Sequence, residues 1–269
     1  MQNLNPWFIE GSSKARLVTG TPDPEAMMGY IARVTSKDQG NPNVEGLLKY
    51  CAKHGHWSVF EQASMTIEVV TPLAIAVQLL RHRSFTFQQF SGRYEDQQEM
   101  LKHTADLSSY GNLFYMPEEA REQDPKNRQN SLPASDPGLT DAMWATMSTS
   151  YTVALQCYND LLTRGVAKEI ARFVLPQGVF SRLYVTGSAR SFIHYIGVRD
   201  DEGVAQYEHC ELARAVKSVF TNQFPTVSKA VFTSPATTPA EAESRALRKQ
   251  IIELQAEIAT LKCLDDGKN

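Results

Sequence analysis

The sequence is poor in cysteine, has no excess of basic charge and contains no long apolar run, and each shortage removes a class of protein. Its 269 residues include four cysteines, Cys51, Cys157, Cys210 and Cys263, widely separated and without a CxxC pair. That spacing suits neither a disulfide framework nor a zinc ribbon, and it fits reduced, mostly buried thiols. Lys and Arg total 27 against 30 Asp and Glu, for a net charge of −3. The molecule as a whole therefore does not attract nucleic acid or an anionic membrane, and any anion site must be a local cluster of basic groups. No apolar run approaches the roughly 18 residues a membrane span requires. Residues 1–11 lack the basic-then-apolar pattern of a secretory leader, so the expected location is the cytoplasm. Neither a Walker loop nor a GxGxxG fingerprint is present, which sets aside the two common nucleotide scaffolds.

What is present reads as an α+β chain, a sheet flanked by helices with a helical tail. Residues 14–21 form a short strand, and Pro24 opens a helix to about Ser36. A second helix follows Asn43, with Val44, Leu47, Leu48 and Cys51 on one side and Gly55 as its stop. Residues 63–71 alternate, Met65, Ile67 and Val69 against Ser64, Thr66 and Glu68, which predicts a half-buried strand. Pro72 opens a helix to about Arg83 that is apolar nearly all round, so Gln78 is expected inside and in need of partners. Residues 95–139 read as a long polar loop with at most a short strand at 113–116. A long helix from Thr140 to Arg164, stopped by Gly165, precedes a shorter one ending at Pro176. A strand at 178–188 and helices at 189–197 and 203–222 complete residues 1–235. Residues 236–269 form a separate extension. There Leu247, Ile251, Leu254, Ile258 and Leu261 make a short heptad seam, fitting a two-stranded coil or a solitary amphipathic helix.

The chemistry concentrates at residues 81–94, Arg-His-Arg-Ser-Phe-Thr-Phe-Gln-Gln-Phe-Ser-Gly-Arg-Tyr. Arg81, Arg83 and Arg93, with His82 as a possible fourth cation, meet no carboxylate before Glu95. Guanidinium groups leaving a buried helix without an acid are costly unless an anion completes the site, and their planar fork suits phosphate. Ser91, Gly92 and Arg93 offer a hydroxyl, a closely approachable amide and a cation, the parts of a phosphate cradle. A solvated basic turn, or a single-strand nucleic-acid platform built on Phe85, Phe87 and Phe90, remains open at this level.

The order of these residues resembles the signature of the flavin-dependent thymidylate synthases: Arg-His-Arg, seven residues, then Ser-Gly-Arg. Three other blocks are similar to that family: Lys-His-Gly-His at 53–56 with Phe60 and Glu61, Ala-Arg-Phe-Val-Leu-Pro at 171–176, and Ala-Arg-Ser at 189–191 with His194, Val198 and Arg199. The likeness runs from about residue 14 to about 230. It implies reductive methylation of dUMP to dTMP, with methylenetetrahydrofolate as carbon donor, NADPH as electron source and FAD as cofactor, in a homotetramer with shared active sites. It implies no nucleic-acid or membrane partner and no metal. Ser58, Arg81, His82, Arg83, Gln89, Ser188, Arg190 and His194 match positions that meet FAD. Gln78, Arg81, Gln89, Phe90, Ser91, Gly92, Arg93, Arg172 and Arg199 match positions that hold dUMP. Arg199 is the candidate catalytic group, a guanidinium that favours the ionised imide of the pyrimidine.

Other polar residues carry weaker signals. Ser91 has no base that the sequence places beside it, so phosphate binding fits it better than attack. His54 and His56 lack a third ligand at a metal-site spacing. Arg182, on an apolar strand, is expected to be structural with its head at the surface. His209 shows no usable pattern.

Overall fold

The structure, a computed structural model, describes residues 7–102 and 113–232. The heptad seam at 247–261 lies outside the described residues. In chain order the elements are β1 (Phe8–Glu10), β2 (Ser13–Gly20), α1 (Pro24–Ala32), α2 (Glu45–Lys53), β3 (Ser64–Pro72), α3 (Leu73–Leu79) and β4 (Thr86–Gln89). They continue with α4 (Gln97–Lys102), β5 (Arg121–Gln123), β6 (Ser131–Pro133), α5 (Leu139–Thr163), α6 (Lys168–Ala171), β7 (Phe180–Ser188), α7 (Ala189–Arg199), α8 (Tyr207–Gln223) and α9 (Pro225–Phe232). Single 3-10 turns cover Trp57–Glu61 and Arg172–Val174. The fold class is α+β, as expected. No described helix is long and apolar enough to cross a membrane.

Five strands form one antiparallel sheet in the order β1-β2-β3-β7-β4. Val69 lies opposite Leu183 and Ile67 opposite Val185, so the inward positions of β3 and β7 make a continuous apolar face. α8 packs against β1 and β2, and α7 against β7 and α8. Phe192, Ile196, Leu212, Val216 and Phe220 are buried there. Fully burying a side chain of this size contributes about 1.5–3 kcal/mol, so this layer dominates the fold's cohesion.

Several boundaries differ from the sequence reading, each for a visible reason. α1 stops at Ala32 because the Arg33 side chain turns to the carbonyls of Asn41 and Asn43 and ties down the following loop. The stretch at 95–139 is not structureless. It holds α4 and the β5–β6 ribbon, closed by Asp124, whose carboxylate accepts from the Lys126 and Asn127 amides. The short strand at 113–116 shrinks to one bridge, Phe114 to Val179. α8 begins at Tyr207, and α9 had no forecast. The stops at Gly55 and Gly165 hold, with φ of +69° and +84°, where a side chain would be strained.

The larger correction concerns polarity. Glu68, expected on the wet side of β3, is 1% exposed. Its carboxylate accepts from Arg16 Nε at 2.7 Å and pairs with Arg182, and Trp7 covers the Arg16 guanidinium at 4.3 Å. Arg182 therefore turns inward to an acid instead of reaching the surface. Two guanidinium groups on one carboxylate make this burial tolerable. α3 shows the opposite error: it is only seven residues long, Val77 is 53% exposed, and Gln78 is half-buried rather than enclosed.

Candidate active site

α3 ends one residue before the basic run, which places residues 81–83 in the turn between α3 and β4. β4 is then held at the sheet edge by β7, with Phe87 opposite Val185 and Gln89 opposite Leu183. Phe85 is buried against Phe192 and Tyr195. Arg81 and Arg83 stay exposed, and among the described residues neither guanidinium forms an ion pair. His82 behaves differently. Its Nε2 accepts from Arg199 Nε at 3.1 Å, and its ring stands edge-on to Tyr195 at 4.9 Å. Burial, the Arg199 guanidinium, His194 and Arg81 together push its pKa down to about 4. The expectation that His82 adds a fourth cation is therefore overturned: at neutral pH it is an uncharged acceptor.

Gln78 has partners on both sides of its amide. Its Nε2 donates to Gln206 Oε1 at 2.7 Å, and its Oε1 lies 3.2 Å from Nδ1 of His209. Gln206 Nε2 donates to Glu208 Oε2 at 2.9 Å, and Glu208 is buried and paired with Arg121. His209 is wholly buried, and burial, with Arg199 and His82 nearby, lowers its pKa to about 3. Among the described residues the buried side-chain polar atoms without a partner are His209 Nε2 and the Tyr195 hydroxyl. Their rings lie 5.8 Å apart.

A second basic corner forms where the loop after β4 meets α6. Ser91 turns the chain, its carbonyl accepting from Tyr94 and Glu95 amides and its Oγ from Arg93 N at 3.4 Å. Gly92 is buried, and a Cβ there would collide with the Gln97 amide and lie 3.6 Å from Arg172 Cδ. Arg93 meets Glu169 at 3.3 Å, while Arg172 Nε donates to the Glu169 carbonyl. Phe90 anchors the corner on Val70 and Phe180, and Gln89 Nε2 donates to Ser181 Oγ at 2.9 Å.

The remaining expected contacts gather at the other end of α7. Ser188 caps that helix, its Oγ accepting from Ser191 N at 3.3 Å. Ser58 and Arg190, with Tyr50, His56 and Trp57, line a pocket of about 550 Å³. Arg190 pairs with Glu61 at 2.6 Å, and His54 stacks on Tyr50 at 4.0 Å. His194 is exposed on α7, close enough to act on His82 electrostatically.

The expected site residues thus fall into three groups: Gln78, Arg81, His82, Arg83, His194 and Arg199; residues 89–93 with Arg172; and Ser58 with Arg190, beside the Ser188 cap. Sequence reasoning missed Gln206, Glu208, His209, Tyr195 and Glu169. His209 is 131 residues from the Gln78 it meets, and no local period points across that gap.

The α+β fold thus carries exposed guanidinium groups at Arg81 and Arg83, a buried glycine corner at Gly92 and the Arg199–His82 contact. The model of the thymidylate synthase complementing protein family matches residues 16–226, and the chain belongs to that family. It is 42% identical over 225 residues to a flavin-dependent thymidylate synthase of Synechocystis sp., covering 83% of this chain and 97% of that protein. It is also 42% identical over 218 residues to a probable flavin-dependent thymidylate synthase of Paramecium bursaria Chlorella virus 1, covering 80% and 94%. Among solved structures it is similar to a UMP/dUMP methylase PolB from Streptomyces cacaoi bound with 5-Br dUMP. That match has a TM-score of 0.69 and 27% identity, covering 86% of this chain and 99% of the other.

Proposed function

We propose that the protein reductively methylates dUMP to dTMP, with methylenetetrahydrofolate as carbon donor, NADPH as electron source and FAD as cofactor. The observation that carries this reading is the pair of exposed guanidinium groups, Arg81 and Arg83, without an ion pair among the described residues, on the turn that also holds the His82 contact to Arg199. Exposed cations on an otherwise acidic molecule suit phosphates, and at the Gly92 corner a Cβ would meet the end of the flexible Gln97 side chain. Residues 81–83, Ser58, Gln89, Ser188, Arg190 and His194 would hold FAD. Gln78, Arg81, residues 89–93, Arg172 and Arg199 would hold dUMP, with Arg81 serving both ligands.

Bound FAD supplies hydride chemistry that no side chain can. The chain's own part is orientation and charge. Arg199 is a permanent cation whose Nε is engaged by His82, leaving its other N–H groups to stabilise negative charge on the pyrimidine imide. His82, neutral and half-buried, fixes that guanidinium without competing for the anion.

The reading includes a homotetramer with shared sites, located in the cytoplasm. α5 has 25 residues of which Tyr158 is the buried one, and Phe173 is 76% exposed beside exposed Ile170. Faces of this kind suit contact with further copies of the chain. In this reading residues 1–235 are the catalytic part and 236–269 a C-terminal extension.

Purified protein should show a visible flavin spectrum that responds to dUMP. Colourless protein that takes up no added FAD would end this reading. Because the similar solved structure is that of a UMP/dUMP methylase, UMP is the second substrate to test, and equal binding of the two would broaden the assignment. Oligonucleotide binding that falls steeply with salt would instead favour a nucleic-acid module.

A further inference from the structure

The Gln78 amide has a defined sense, and its origin lies on α8. Glu208 is ionised and can only accept: although burial opposes it, the Arg121 hydrogen bond keeps its carboxyl below the ordinary range. It accepts from Gln206 Nε2, which turns Gln206 Oε1 outward to accept from Gln78 Nε2. Gln78 Oε1 then needs a donor, and the atom facing it is Nδ1 of His209 at 3.2 Å. An amide can be drawn either way round until its neighbours decide, and here each neighbour decides the next. The last member has to be the neutral tautomer with hydrogen on Nδ1 and a bare Nε2, and that Nε2 is the nitrogen left without a partner.

We propose that His209 is a positioning residue that holds the Gln78 amide in one sense, so that Gln78 reads a uracil base and rejects cytosine. The proposal rests on the reading that Gln78 meets the nucleotide. After its two protein contacts Gln78 keeps one N–H and one oxygen lone pair on fixed sides. In the neutral form in which it first binds, before Arg199 favours the ionised imide, uracil offers an N3–H donor beside a C4 carbonyl acceptor, which such an amide can satisfy together. Cytosine has a bare N3 beside a C4 amino group and faces acceptor with donor reversed. If the amide could flip freely it would serve both bases, and the discrimination would vanish.

The test uses full-length His209→Asn, His209→Gln and His209→Phe, each compared with the parent for melting temperature and flavin content. Asparagine places an N–H where Nδ1–H was; glutamine places one nearer the Nε2 position; phenylalanine places none. The expected result is that dUMP binding weakens about tenfold in the Gln and Phe variants, as losing one buried hydrogen-bond partner implies, and stays within about twofold in the Asn variant. The preference for dUMP over dCMP should narrow in step. Equal dUMP affinity and equal preference in all three variants would overturn the proposal, and the Asn and Gln pair decides if the Phe variant fails to fold. Nitrogen-15 spectra of His209 supply an independent reading: hydrogen on Nδ1 supports the arrangement, and hydrogen on Nε2 sinks it. If the parent itself binds no dUMP, the functional reading has failed, while the tautomer still judges the His209 contact.

Discussion

Arg199 Nε donates to His82 Nε2 across 3.1 Å, and that contact requires the imidazole to be neutral. A protonated ring has no lone pair to accept with, and it would face a permanent cation. Arg199→Ala should therefore do two things at once. Turnover should fall by about a hundredfold or more, the loss typical of a removed charge-stabilising donor, while FAD still binds. The His82 pKa should climb from about 4 toward its ordinary 6.5 in an NMR titration. Unchanged turnover would remove Arg199 from the chemistry.

His82 and His209 also give stability a pH dependence of known sign. Both have folded-state pKa values pushed below 6.5, to about 4 and about 3. Above pH 6.5 both are neutral folded and unfolded, so they contribute no slope. As pH falls from 6.5 toward 4, only the unfolded chain takes up these protons, and stability declines. His209→Asn should flatten that decline in denaturant melts at stepped pH; an identical slope would assign it to other groups.

The Gly92 corner admits no side chain without moving Gln97. Gly92→Ala should weaken dUMP binding about tenfold or more by titration, since a phosphate cradle depends on close backbone approach. Flavin content should remain at the parental level. Full dUMP affinity in this variant would show that the phosphate sits elsewhere.

Glu68 lies between Arg16 and Arg182 in the sheet. Glu68→Gln leaves two guanidinium groups facing a neutral amide, and breaking a buried pair in this way costs about 3–5 kcal/mol. Urea unfolding should register that loss, and a change below about 1 kcal/mol would mean that water already reaches the network.

Phe173, 76% exposed at the end of α6, is the residue to charge if the chain assembles through this face. Phe173→Glu should lower the mass seen by sedimentation equilibrium and, if the sites are shared between copies as proposed, reduce turnover with it. Parental mass in this variant would move the interface to another face.

Much of the fold was legible locally. Pro24, Gly55 and Gly165 marked helix ends because ring closure and positive φ act on a single residue. β3 followed from alternation, and β2, β7 and α5 lie close to the ranges expected for them. The order of basic residues at 81–93 suggested a phosphate site on the premise that unpaired arginines are costly when buried, but Arg81 and Arg83 are exposed and Arg93 finds Glu169 far along the chain. Two inferences failed for a common reason. His82 counted as a cation and Glu68 as solvated because residue type and alternation carry no information about neighbours far along the chain.

By itself, then, the sequence determined the helix and strand boundaries set by proline, glycine and apolar period, together with the family-like order of Arg81, Ser91, Gly92, Arg93, Arg172 and Arg199. Only the tertiary structure decided which of these groups are charged, paired or oriented. It brought α8 against α3, so that His209 meets Gln78, and it brought α7 beside the turn after α3, so that burial and Arg199 together keep His82 neutral. Protonation and amide sense depend on burial and on partners more than a hundred residues away, and those are fixed when the helices pack.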